Sequence, residues 1–213
     1  MIRMKPLIVN EGRSDRDVSN ISRLIFDKLK HNFKNFKISY ELISVDIMLL
    51  IYISVERNEK ISSIKDVVIE GMGLRQKLEI DDEDHVGQIE ITIYIHNEAT
   101  FKDYANNLHS ELKEVIAHEL EHIFQLFRVP GRSRMRRTIA KGDYDYLIGK
   151  DEVEGFVTGL YKRAKVERKP LGDLIDAMLN VHIKSGEIDK KQAKVIKSKW
   201  INYAKIRFPK AQL

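Results

Sequence analysis

The sequence predicts an α+β fold, in which a small mixed sheet lies beside one long helix and a helical C-terminal half follows. Three observations predict it. Residues 88–96 read Gln-Ile-Glu-Ile-Thr-Ile-Tyr-Ile-His, so Ile89, Ile91, Ile93 and Ile95 alternate with polar or amphipathic side chains. That period of two marks a strand with one buried face. Residues 104–127 instead place Leu112, Ile116, Leu120, Ile123 and Phe127 on one arc of a helix, and Pro130-Gly131 stops the run. From residue 150 onward the apolar spacing is helical. Helix, strands, then helices is the order of an α+β domain.

In chain order, residues 12–30 form an amphipathic helix: Val18, Ile21, Leu24, Ile25 and Leu29 recur at helical spacing, and Ser14 is a candidate cap. Residues 38–55 are rich in β-branched and long apolar side chains, with strand character in 44–55 and a buried helical turn as the alternative for 46–51. Residues 56–63 are a polar connection. Residues 64–78 are ambiguous, with Gly71 and Gly73 marking a turn or a bulge. The acidic Asp81-Asp82-Glu83-Asp84 precedes the alternating strand. Residues 131–149 read as a basic, aromatic-containing loop. A helix over 150–169 stops at Pro170, and two more follow over 171–183 and 190–206, with the turn near Ser185-Gly186. The expected division is a main domain over 1–169 and a helical extension over 170–213 packed on it.

Composition excludes several chemistries. The chain has no cysteine, which removes disulfides, thiolate nucleophiles and Cys-ligated metals. No run of about 18 apolar residues occurs, so no membrane span is expected. Residues 1–10 lack the apolar core and cleavage site of a signal peptide, which favours a cytoplasmic over a secreted protein. The net charge of +5 is unevenly placed: Arg128, Arg132, Arg134, Arg136, Arg137 and Lys141 form one block, and the chain after Leu160 forms another. Such blocks suit nucleic acid, an anionic surface or an acidic substrate, with a solvated surface as the simpler account. Stacking aromatics are not interleaved with the charges and no finger spacing exists, so nucleic acid is a secondary expectation.

The segment that carries chemistry is His118-Glu119-Leu120-Glu121-His122. On the long helix His118 and His122 are one turn apart, so both imidazoles can face a single ion. Glu119 falls between the histidines and the apolar arc, where it can reach a metal-bound water. Glu121 faces the opposite side and is expected to be solvated. Neutral imidazoles leave the charge of zinc largely uncompensated, and that charge acidifies a bound water. A nearby carboxylate can then move the proton. A third protein ligand must come from elsewhere. Gln125 and Arg128 stand where the pattern HExxHxxGxxH has Gly and His, and His182 lies in a later helix. Asp151, Glu152 and Glu154 are nearer. Glu152 and Glu154 differ by about 200° on their helix, so only one can face the ion, and periodicity does not choose between them.

On these residues the chain resembles the HExxH zinc metallopeptidases, the zincins, of the glutamate-liganded or gluzincin-like type. The resemblance covers about residues 89–160 and extends to Glu152-Val153-Glu154-Gly155-Phe156, where the family's first glutamate binds the metal. It implies a zincin-like catalytic domain, one zinc ion held by His118, His122 and Glu152, and Glu119 as the catalytic base. Gly155 replaces the usual Ala, and Phe156 replaces the polar residue often found four positions after the ligand. Zincins also run a strand beside the active-site helix that pairs with an extended substrate, and residues 88–96 are the natural candidate. A Tyr donor near the developing oxyanion is common, and Tyr146 is preferred over Tyr144. Either tyrosine equally fits an aromatic anchor of the loop. His96, at the strand's end, is expected on the surface or behind the ligands.

The expected activity is zinc-dependent peptide-bond hydrolysis, most simply by an endopeptidase, on a peptide or protein substrate. The basic loop either favours acidic groups in that substrate or has no selective role. The competing readings are a binding protein for nucleic acid or another anionic partner on a zincin scaffold, and a purely structural zinc site. Sequence does not fix the oligomeric state.

Overall fold

The computed structural model describes residues 11–31, 33–43, 47–74, 86–128 and 142–213. Residues 1–10, the acidic run 81–84 and the basic run 132–137 lie outside them. The chain divides into two compact units, Met1–Ser133 and Arg134–Leu213.

In the first unit, helix α1 (Glu11–His31) precedes strands β1 (Phe36–Leu42), β2 (Ile47–Arg57), β3 (Val67–Leu74) and β4 (Val86–Ile95), and helix α2 (Phe101–Arg128) follows. The sheet order is β1-β2-β4-β3. β1 pairs antiparallel with β2, β2 parallel with β4, and β3 antiparallel with β4. The register sets Ile51 beside Ile89 and Ile53 beside Ile91. The alternating isoleucines of β4 and the Leu49-Ile51-Ile53 series of β2 therefore form one continuous buried face. Val18, Ile21, Ile25 and Leu29 of α1 and Leu108, Leu112, Ile116, Leu120 and Ile123 of α2 complete that core. Each large side chain so buried contributes about 1.5–3 kcal/mol. The opposite face keeps Met48, Tyr52, Val68 and Met72 exposed, as an antiparallel-rich sheet covered on one side permits.

Several boundaries differ from those expected. Residues 38–55 hold two strands, β1 and β2, because residues 42 and 47 close a hairpin. Residues 67–74 are a strand rather than a turn or bulge. Its glycines pair with β4 like the other residues: Gly71 faces Ile91 and Gly73 faces Ile89 across the ladder. Ser14 is not the cap of α1, which already begins at Glu11. α2 begins at Phe101, three residues early. Asp103 is the reason: its carboxylate accepts the backbone N–H of Thr100 at 2.8 Å and the Thr100 hydroxyl at 2.6 Å. That contact ties the residue before the helix to its first turn and holds the Asp103 carboxyl below its usual range.

The second unit is helical. α3 (Asp143–Leu147) is a short helix inside the segment expected to be a loop, and α4 (Lys150–Glu167), α5 (Leu171–Lys184) and α6 (Lys190–Arg207) follow nearly as expected. Arg168 ends α4 in the left-handed conformation, at φ 55°, before Pro170. Asp189 and Gln192 form a reciprocal capping box at the start of α6. Trp200 is fully buried and donates its indole N–H to the Leu147 carbonyl at 2.9 Å. Phe156 stacks on Trp200 and meets Tyr146 edge-on, so α3, α4 and α6 share one aromatic seam. The position where the resemblance would put a polar group thus holds a partly buried aromatic ring packed against the hydrophobic core of this unit.

Candidate metal centre

The centre is built first on α2. A surface helix buries one stripe, yet every residue from 116 to 125 is buried. This segment therefore carries an apolar arc on the sheet side and a buried polar stripe on the other, His118, Glu121, His122 and Gln125, which Glu114 extends by one turn. Glu121, expected to be solvated, is only 3% exposed. The expectation failed because periodicity registers the apolar arc of a helix and not what covers its polar side.

His118 and His122 are each 8% exposed. Their Nε2 atoms lie 2.9 Å apart, with the rings crossed at 77°. His122 turns its other nitrogen to Gln125, Nδ1 to Oε1 at 3.1 Å. Among the described residues, one group of three offers donor atoms of the metal-ligating type, all within 4.8 Å of one another: His118, His122 and Glu152. Two imidazole nitrogens and a carboxylate oxygen are a donor set that zinc favours in catalytic sites, where a fourth position stays open. The residues fit the ion that the sequence implied. Glu152 is the glutamate brought to the histidines, and Glu154, on the same helix, is outside the group.

Glu119 is 6% exposed and lies against strand β3. A carboxylate next to two converging imidazoles is positioned to take a proton from water. The His118, His122 and Glu152 triad with adjacent Glu119 matches an HExxH zincin-type active site. No protein-family model matches the chain, and no curated protein or solved structure matches it either. The likeness to zincins therefore rests on the triad and the α+β fold.

Other expected residues fall elsewhere. His96 accepts the Glu98 backbone N–H in an exposed turn and is outside the triad. His182 pairs with Glu187 after α5. Tyr146 lies on α3, 42% exposed, with its ring against Phe156; Tyr144 is partly buried and packs on the core of the second unit. β4 is not available to pair with a substrate, since β2 and β3 fill both its sides. β3, on which α2 packs, is an edge strand: on its side away from β4 no strand pairs with it among the described residues. Gln125 was known from sequence only as a departure from a pattern. Its spacing of three from His122, which puts the two side chains on one face, was the overlooked signal.

Proposed function

We propose that the protein is a zinc-dependent endopeptidase. The observation that carries this reading is the convergence of His118, His122 and Glu152 with Glu119 beside them. His118, His122 and Glu152 would hold the zinc ion, which would supply a Lewis acid able to acidify water near neutral pH. Glu119 accepts the proton of the attacking water and gives it to the departing amine nitrogen as the C–N bond breaks.

The extended substrate pairs with the edge of β3 that carries no strand among the described residues, so the role expected of residues 88–96 passes to residues 67–74. An open strand edge accepts a chain that continues in both directions, which fits an endopeptidase better than an enzyme confined to chain ends. The Tyr146 hydroxyl, on an exposed side chain, serves as the donor to the developing oxyanion.

Cleavage of unstructured peptides with zinc supplied tests the reading. Glu119→Gln is expected to lower turnover by about 10²–10⁴-fold and to keep the metal. Equal turnover by both proteins overturns it.

A further inference from the structure

We propose that Gln125 is the positioning residue of this centre, fixing the ring of His122 so that Nε2 is the metal-binding atom. The proposal rests on the metal-site reading above. His122 Nδ1 lies 3.1 Å from Gln125 Oε1, and both residues are buried. A carbonyl oxygen only accepts, so Nδ1 carries the proton. A neutral imidazole has one proton, so Nε2 keeps its lone pair, and Nε2 is the nitrogen that faces His118. The hydrogen bond selects the tautomer that zinc needs and sets the ring's rotation about its Cβ–Cγ bond.

The spacing of three residues means that α2 alone sets this contact. Phe156, four residues after the ligand Glu152, is apolar and committed to the stack with Trp200, so it offers no polar group for the purpose. Gln125 is also neutral. It orients His122 without adding a negative charge behind the ligand, which leaves more of the ion's charge to act on the open position.

The test uses the full chain and two variants, Gln125→Met and Gln125→Glu. Zinc affinity is measured by competition with a chromogenic chelator, and imidazole ¹H–¹⁵N correlation spectra of the zinc-free chain report the His122 tautomer. Gln125→Met, of similar length but without the acceptor, is expected to bind zinc about 10–100-fold more weakly and to lose the preference for Nδ1–H. Gln125→Glu restores an acceptor and is expected to keep both the tautomer and the affinity. Unchanged affinity and tautomer in Gln125→Met overturn the proposal. So does a wild-type His122 protonated at Nε2 in the zinc-free chain, a result that needs no variant to fold. A wild-type chain that binds no zinc overturns the metal reading instead, and the tautomer then decides the Gln125 contact separately.

Discussion

Gly71 of β3 lies directly against Glu119 of α2: a β-carbon at position 71 would stand 2.8 Å from Glu119 Oε1, 3.0 Å from its Cγ and 2.6 Å from Val115 Cγ1. Real β-carbons do not approach so closely, so the absent side chain is what lets the edge strand pass this near the helix. The Glu119 carboxylate rests over the bare backbone, and the strand sets where it can sit. Gly71 is itself exposed, so the same gap leaves the strand open to solvent beside the base.

Gly71→Ala is therefore expected to push Val115 and Glu119, otherwise 2.6 and 2.8 Å from the new β-carbon, aside by roughly 1 Å. Misplacement on that scale can lower kcat about 10²-fold. Zinc affinity should stay near wild type, because the atoms nearest a β-carbon at 71 belong to Val115 and Glu119 rather than to His118, His122 or Glu152. Paired measurements of kcat and zinc affinity check this. A variant that keeps full kcat shows that the carboxylate does not depend on the strand.

The two glutamates of α4 separate cleanly by experiment. Glu152→Gln removes an anionic ligand and is expected to cost most of the zinc affinity, with turnover falling alongside it. Glu154→Gln leaves the triad intact and should bind zinc as wild type does. Zinc content after dialysis against a weak chelator distinguishes them, and the reverse result would move the third ligand to Glu154.

Much of this was legible in the sequence where one element suffices to show it. The isoleucine alternation of β4, the apolar stripe of α1 and the long helix with its two histidines are local patterns, and the structure places them within a few residues of expectation. What failed to show depends on neighbours. β3 was hidden because Gly71 and Gly73 carry no strand signal of their own; β4 supplies the ladder, and close approach to α2 supplies the reason for Gly71. Whether β4 lay at an edge or in the middle is a property of the sheet order. Glu121 looked solvated because its side of α2 is polar, yet that side is covered. The choice of Glu152 came from resemblance, since the apolar face of α4 lies between the two glutamates on the wheel.

Asp17 illustrates the same dependence at the other end of the sheet. It is fully buried on α1, and its carboxylate accepts from the Tyr40 hydroxyl at 3.1 Å and the Ile43 backbone N–H at 3.2 Å. Asn20 adds a hydrogen bond to the same hydroxyl. Asp17→Ala strands these donors and is expected to destabilise the protein by about 1–3 kcal/mol. A lower urea midpoint with an unchanged m value checks it. An unchanged midpoint would mean that water replaces the carboxylate at no cost.

Tyr104 gives a dependence on pH at the alkaline end. Its side chain is 1% exposed, packed edge-on against Phe33 and Phe101. Burial pushes its hydroxyl from 10.0 up to about 12, against a smaller opposing pull from Arg57. The folded state thus holds this proton more tightly than the unfolded chain. Stability from the neutral phenol is complete below pH 10 and is lost as pH rises from 10 toward 12, where the unfolded chain ionises first. Tyr104→Phe keeps the ring and removes the proton, so its stability should fall less steeply across that window. Urea midpoints of both proteins at a series of alkaline pH values check this. Tyr40 and Tyr94 are also raised, but they are present in both proteins, so the difference in slope belongs to Tyr104. Parallel slopes would show that its hydroxyl ionises in the folded state as readily as in the unfolded chain.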